Sequence, residues 1–210
     1  MFEDAAAVMQ AVESQTLILY HTDLRGQWPQ AAASALARSL RYAKRLEVAA
    51  RGERAAATLA GIALALHALS DLHGRTVGAA ELTFPDGGKP RLADEGVAAG
   101  EGADFSIAHS GHWVGCAAVA RGLVGFDVEL GGEARLSDWA AREAALKACG
   151  LGITAAREVE LGDGRAVCRG VSLHPRPLAL FAGAAACVMT SEPVTRLTAR
   201  ALALEELFAA

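Results

Sequence analysis

Residues 123–129 read Leu-Val-Gly-Phe-Asp-Val-Glu, a short apolar run that carries two carboxylates near its end. Its length and its β-branched and aromatic residues predict a strand. Because residues i and i+2 of a strand point to the same side, Asp127 and Glu129 share one face. Phe126 and Val128 fill the other face. Two adjacent carboxylates repel each other, and a hard cation such as Mg²⁺ removes that cost. The pattern therefore indicates either a metal site or the solvent-facing end of a strand.

Helices and further strands are predicted on both sides of this run. The nearest is a helix at Trp139–Cys149, with Ser137 and Asp138 as its N-terminal cap and Gly150 as its stop. The others, in chain order, are a strand at Thr16–Tyr20, helices at Pro29–Arg51 and Glu53–Leu72, strands at Glu81–Phe84, Phe105–Ala108, Val114–Ala120, Val159–Leu161, Ala166–Cys168, Val171–Leu173, Leu178–Val188 and Arg196–Thr198, and a helix at Ala199–Leu207. This mixture predicts an α+β fold.

One face of the helix predicted after this strand carries an acidic and a basic side chain. Trp139, Glu143 and Lys147 are spaced i, i+4 and i+8, so they lie one above another on the helix surface. Glu143 and Lys147 in this order form a favourable surface ion pair, which is one interpretation of the pattern. In the other, Glu143 adds a third carboxylate beside Asp127 and Glu129, where it completes a cation site or acts as a general base.

Two candidate binding segments precede the carboxylates. The sequence FSIAHSG at Phe105–Gly111 places His109 at a strand end, next to a glycine where backbone can approach a ligand closely. The block lacks both glycines of the nucleophile elbow, which argues against a serine hydrolase. The sequence GKP at Gly88–Pro90 holds Lys89 in a turn, without the remaining residues of a P-loop. A histidine or lysine in such a place is either a ligand-binding or a structural residue.

The composition excludes several classes of protein. The chain has 210 residues, of which 52% are hydrophobic and 21% charged, so it can form one domain or two small lobes and is not a disordered tail. The longest apolar run, Leu59–Leu69, is too short to span a membrane. An acidic N-terminus predicts no signal peptide, and four widely spaced cysteines predict free thiols rather than disulfides or a zinc site. We expect a soluble, cytoplasmic protein.

The charges are unevenly distributed along the chain. The net charge of −4 argues against binding to nucleic acid. Six basic residues nevertheless lie between Arg38 and Arg54, against two glutamates. This basic cluster is either a solvated helix face or a landing surface for a polyanion.

Four of these segments, in this order, resemble the motifs of the phosphopantetheinyl transferase superfamily, especially its two-lobed, surfactin-synthetase-activating type. They are Gly88–Pro90 (GKP), Phe105–Gly111 (FSIAHSG), Gly125–Glu129 (GFDVE) and Trp139–Lys147 (WAAREAALK). Each motif alone is weak, whereas four in the family's order are specific. The resemblance implies two similar α/β lobes in one chain. Residues 1–122 would form the coenzyme-binding lobe, and residues 123–210 the lobe with the metal and the general base.

The resemblance also implies an activity. Enzymes of this family move the 4′-phosphopantetheine arm of coenzyme A onto a serine of an acyl or peptidyl carrier protein and release adenosine 3′,5′-bisphosphate. It implies that Asp127, Glu129 and Glu143 hold Mg²⁺. Glu143 would also be the catalytic base for the carrier serine, and Lys147 would neutralise the pyrophosphate. The coenzyme-binding residues implied are Lys89, Pro90, His109 and Arg54. The expected protein is a monomer with no nucleic-acid or membrane partner.

The chain departs from the family's pattern at several places. Ala57 stands where the family has an arginine, and Ala108 where it has a serine that donates to the coenzyme. Arg142 and Ser106 replace a lysine and an asparagine, and the segment Leu130–Asp138 is shorter than the family's helix and flap. These departures favour a relative that binds coenzyme A or a carrier protein without transfer. The intact carboxylates and the lysine of the site favour an enzyme.

Overall fold

The computed structural model describes residues 15–40, 53–85, 88–93 and 102–208. Its helices are α1 (Gln30–Ser39), α2 (Glu53–His73), α3 (Ala134–Ala148) and α4 (Leu204–Leu207). Its strands are β1 (Gln15–Asp23), β2 (Leu82–Thr83), β3 (Arg91–Leu92), β4 (Asp104–Ser110), β5 (Trp113–Val119), β6 (Val124–Leu130), β7 (Val159–Gly162), β8 (Arg165–Cys168), β9 (Val171–Leu178), β10 (Ala184–Thr190) and β11 (Val194–Ala201). With 34% helix and 38% strand, the mixed α+β fold predicted from the sequence is confirmed.

The described strands form three sheets. One has the order β11-β1-β5-β4, the second has the order β6-β10-β9-β8-β7, and β2 and β3 form a small third sheet. Helix α2 packs on the first sheet and α3 on the second. Strand β11 pairs with β1 in the parallel sense, so the end of the chain completes the first sheet. The division of the chain at residue 122 stays a prediction.

The two large sheets meet where β6 contacts β4. Alternate side chains of β4, rather than its backbone carbonyls, accept the backbone N–H groups of β6. The donor–acceptor pairs of this side-chain ladder are Val124 N to Asp104 Oδ2 at 2.7 Å, Phe126 N to Ser106 Oγ at 3.0 Å and Leu130 N to Ser110 Oγ at 3.0 Å. The ladder covers the edge strand of each sheet and fixes β6 beside β4.

Close contact between α3 and β6 depends on Gly125. A Cβ atom at this position would lie 1.8 Å from the carbonyl oxygen of Ala144 and 2.5 Å from the backbone nitrogen of Ala148. The buried face of α3 consists mainly of alanines, so the helix backbone lies directly on the strand. The helix residues next to this contact are therefore held over the carboxylate-bearing face of β6.

Helices α1 and α2 correspond to the predicted helices at Pro29–Arg51 and Glu53–Leu72. Helix α2 matches its prediction, whereas α1 ends at Ser39, well before the predicted Arg51. The helix ends there because the next residue, Leu40, has an extended backbone, and its side chain is 3% exposed. The rest of the predicted segment lies outside the described residues.

The predicted N-terminal cap of α3 was wrong. The helix begins at Ala134, so Ser137 and Asp138 lie inside it, and the capping residue Glu133 makes no side-chain cap bond. Only residues 131–133 separate β6 from the helix. The predicted stop at Gly150 is confirmed by its φ of +67°, a conformation that favours glycine.

Two predictions for the C-terminal part were also wrong. The run Leu178–Val188 is not one strand, because a turn closed by Ala184 N and Phe181 O at 3.1 Å separates β9 from β10. The predicted helix at Ala199–Leu207 is reduced to α4, because residues 199–201 pair with β1. Pairing with β1 overrides the helical preference of Ala199 and Ala201.

Helix α2 contains the candidate membrane span among the described residues. Its window Ala55–His73 has the length and apolarity to cross a bilayer, yet 56% of it is buried inside the protein. The helix forms part of the main hydrophobic core together with β1, β4 and β5. All four cysteines are free, as predicted.

Candidate functional site

Three carboxylates come together at the contact between β6 and α3. Asp127 and Glu129 lie on β6 and Glu143 lies on α3, and one oxygen of each lies within 4.8 Å of the others. Asp127 is buried, whereas the other two are half-buried. The i, i+2 spacing on the strand and the close seat of α3 on Gly125 produce this arrangement, which we call the acidic cluster.

Asp127 is the most constrained member of the acidic cluster. Its side chain is 4% exposed, and its Oδ1 accepts a hydrogen bond from Lys147 Nζ at 2.6 Å. Its Oδ2 is buried and has no hydrogen-bond partner among the described residues. Burial raises the pKa of Asp127 to about 7, which Glu143 and Glu129 reinforce and Lys147 opposes. A buried oxygen without a partner is costly, so this atom calls for a cation or a proton.

The acidic cluster fits a hard divalent cation. Oxygen atoms are the ligands that Mg²⁺ prefers, and Mg²⁺ is usually bound by one or two carboxylates together with water and substrate phosphates. The three carboxylates offer such oxygens, and the orphaned Oδ2 of Asp127 supplies one that nothing else in the described residues satisfies. Lys147 balances part of the negative charge from the other side of Asp127.

Glu129 is linked to the first sheet through Ser110. The Ser110 hydroxyl donates to Glu129 Oε2 at 3.2 Å, and Ser110 Oγ also accepts the backbone N–H of Leu130. Neither Ser110 nor Asp104 was predicted as a site residue. The pattern that marks them is the recurrence of polar residues on one face of β4, a face that contacts β6 instead of water.

Lys89 lies in an internal ion pair. Its ammonium group contacts Asp104 Oδ2 and donates to the carbonyl oxygen of Val124 at 2.6 Å, and its side chain is 10% exposed. Burial lowers the pKa of Lys89, while Asp104 opposes this shift. Pro90 beside it is half-buried. Lys89 thus ties the GKP turn to the ladder between β4 and β6, and its role toward coenzyme A stays a prediction.

The remaining predicted coenzyme residues are more scattered. His109 is exposed and points to the side of β4 opposite Ala108 and Ser110. Ala108 is 3% exposed and shares the β6-facing side of the strand, so a hydroxyl there would face β6. Ala57 is buried in the core of the first sheet. The side chain of Arg54 lies outside the described residues.

Two further predicted features concern basic residues. Of the basic cluster, Arg38 is exposed at the end of α1, while residues 41–52 lie outside the described part of the chain. Arg142, which replaces the family's lysine, donates to the carbonyl oxygen of Val159 at 2.6 Å. This bond ties α3 to the start of β7, so Arg142 is a structural residue here.

The raised pKa of Asp127 predicts that metal affinity depends on pH. Because a cation binds the carboxylate and not the acid, protons compete with Mg²⁺ below pH 7. We expect the association constant for Mg²⁺ to rise about tenfold between pH 6 and pH 8. Isothermal titration calorimetry in buffers of different ionisation enthalpy should show about one proton released at pH 6 and almost none at pH 8.

The raised pKa of Asp127 also predicts how the stability of the metal-free protein changes with pH. The folded state binds this proton more tightly than the unfolded state, so the contribution of Asp127 to the free energy of unfolding falls as pH rises from about 4 to 7. A metal affinity that stays constant from pH 6 to pH 8 would contradict the assignment of Asp127 as a ligand.

A scan against models of protein families finds no match, and a search of curated proteins finds no similar protein.

Proposed function

We propose that this protein is a Mg²⁺-dependent phosphopantetheinyl transferase that moves the 4′-phosphopantetheine arm of coenzyme A onto a serine of an apo acyl or peptidyl carrier protein. The observation that carries the proposal is the acidic cluster of Asp127, Glu129 and Glu143, with Lys147 against Asp127. These are the four residues to which the sequence resemblance assigns metal binding and catalysis. They converge from a strand and a helix, although only the i, i+2 and i, i+4 spacings are local.

In this proposal Asp127, Glu129 and Glu143 hold the cation. When bound, Mg²⁺ stabilises the negative charge that develops on the pyrophosphate oxygens. Glu143 accepts the proton of the carrier serine, whose Oγ forms the new bond to the β-phosphorus of coenzyme A. The bond from that phosphorus to the bridging oxygen breaks, and adenosine 3′,5′-bisphosphate leaves. Lys147, which donates to Asp127 Oδ1, provides positive charge for the phosphates.

The proposal includes a chain of two α/β lobes, of which the mixed fold is the established part. The arrangement of α2 on the first sheet and α3 on the second, with the ladder between β4 and β6, supports it. Coenzyme A would bind near that junction, with Lys89, Pro90, His109 and Arg54 as its proposed contacts. A cytoplasmic monomer without a membrane or nucleic-acid partner belongs to the same proposal.

A second candidate function is the binding of coenzyme A or a carrier protein without transfer. Two observations favour it. Lys89 is engaged with Asp104 inside the protein, and Ala57 is buried where the family has an arginine. If neither Lys89 nor a residue at position 57 contacts the phosphates, the affinity for coenzyme A is lower, because a hydrogen bond to a charged group contributes about 1.5–3 kcal/mol.

One assay separates the two functions. The protein is incubated with coenzyme A, Mg²⁺ and each of several apo carrier proteins, and the carrier is then weighed by mass spectrometry. The transferase is supported if the carrier gains the mass of one phosphopantetheine arm in the presence of Mg²⁺ and gains no mass when a chelator replaces Mg²⁺. No mass gain with any carrier contradicts it. In that case, a melting temperature raised by coenzyme A would support the binding function.

A further inference from the structure

Ser110 differs from the other members of the side-chain ladder in its second contact. Its Oγ accepts the N–H of Leu130 at 3.0 Å and donates to Glu129 Oε2 at 3.2 Å. A serine hydroxyl has one proton and two lone pairs, so both bonds form at the same time. The residue thereby connects the backbone of β6 to a carboxylate of the acidic cluster on the same strand.

The two bonds together restrict the Glu129 side chain. The bond from Leu130 fixes the Ser110 oxygen relative to the β6 backbone, which leaves its proton for the carboxylate. Glu129 is half-buried, and a half-buried glutamate without such contacts keeps much of its rotamer freedom. Hydrogen bonds from a second layer of residues orient ligating carboxylates in metal sites.

We propose that Ser110 is a positioning residue that orients the Glu129 carboxylate for binding a divalent cation. The inference rests on the proposed function only in that the acidic cluster must bind such a cation. It assigns to the first sheet, through the last residue of β4, a part in shaping a site whose carboxylates all lie on β6 and α3.

Ser106 supplies a matched control within the same ladder. Its Oγ accepts the N–H of Phe126 at 3.0 Å, which is the same type of bond that Ser110 makes to Leu130. It is 2% exposed and lies four residues earlier on the strand, about 13 Å away. The variant S106A thus removes a ladder bond, and with it stability, without removing a contact to Glu129.

The test is the affinity of the full-length protein for Mn²⁺ as the probe, measured by electron paramagnetic resonance, together with the melting temperature. We expect S110A to raise the dissociation constant about tenfold. S110T retains the hydroxyl and should stay within about threefold of the wild-type value. S106A should lower the melting temperature yet leave the dissociation constant within about twofold of wild type.

Each contrary result has a distinct meaning. If the wild-type protein binds Mn²⁺ and S110A binds it equally well, the positioning role is overturned and the cation site stands. If S110A and S106A weaken binding to the same extent, the effect comes from the ladder as a whole and the positioning role is again overturned. If the wild-type protein binds no Mn²⁺, both this inference and the proposed function fail.

Discussion

Replacing Glu143 by glutamine is expected to slow phosphopantetheine transfer about a thousandfold, because general-base catalysis typically contributes a hundredfold to ten-thousandfold. Glutamine has nearly the shape of glutamate but neither its charge nor its basicity. The Glu143 carboxylate is half-buried and lies within 4.8 Å of an oxygen of Asp127 and of Glu129, so the substitution removes one cluster charge without opening a cavity. The fold should therefore survive.

Two functions of Glu143 are separable in this variant. If it is mainly a ligand, higher Mg²⁺ concentration should restore part of the rate, and Mn²⁺ affinity should fall. If it is mainly the base, the rate should stay low at saturating Mg²⁺. The measurement is the initial rate of carrier mass gain over a range of Mg²⁺ concentrations.

Asp138 provides the control for this experiment. It lies on the same helix as Glu143 but is exposed and is not a member of the acidic cluster. The variant D138N removes one negative charge from α3 and should keep the wild-type rate within about twofold, as expected for a surface substitution. Equal losses in E143Q and D138N, or full activity in E143Q, would contradict the role assigned to Glu143.

The part of the site that the sequence could predict is the part set by local periodicity. The two-residue period of a strand places Asp127 and Glu129 on one face, and the helical period places Glu143 and Lys147 on another. Which faces meet is not a local property, although Gly125 marks the place where α3 comes close to β6. The expectation that these two faces meet came from the resemblance to a family with these motifs.

Two contacts that the sequence could not predict join separate elements of the chain. Lys89 pairs with Asp104, and Ser110 reaches Glu129, because β4 and β6 share an edge that no residue spacing encodes. The predicted C-terminal helix failed for a similar reason, since pairing with β1 at the other end of the chain draws Ala199–Ala201 into a strand. The intrinsic preference of a segment for helix or strand is overridden where a strand distant in the sequence offers hydrogen-bond partners to its backbone.

Gly125→Ala is expected to lower the free energy of unfolding by about 3 kcal/mol, the upper part of the range for overpacking. The added Cβ would lie 1.8 Å from Ala144 O and 2.5 Å from Ala148 N, and both of these atoms belong to the helix backbone. Backbone atoms cannot turn aside as a flexible side chain can. Helix α3 must therefore move away from β6, which separates Glu143 and Lys147 from Asp127.

Gly132→Ala isolates this effect from the general consequence of replacing a glycine. Gly132 lies between β6 and α3, and a Cβ there would meet no atom within 4 Å. Its free energy of unfolding should change by less than about 0.5 kcal/mol. Urea unfolding of both variants, with a chelator present so that metal binding does not contribute, measures the difference.

The same pair of variants connects stability to the site. Because the distance from α3 to β6 sets the spacing of the three carboxylates, G125A should lose Mn²⁺ affinity even at temperatures where it remains folded. G132A should keep that affinity. A G125A protein as stable as wild type would show that α3 does not rest on β6 as described. A destabilised G125A protein with full Mn²⁺ affinity would show that the carboxylates of the acidic cluster do not depend on this contact.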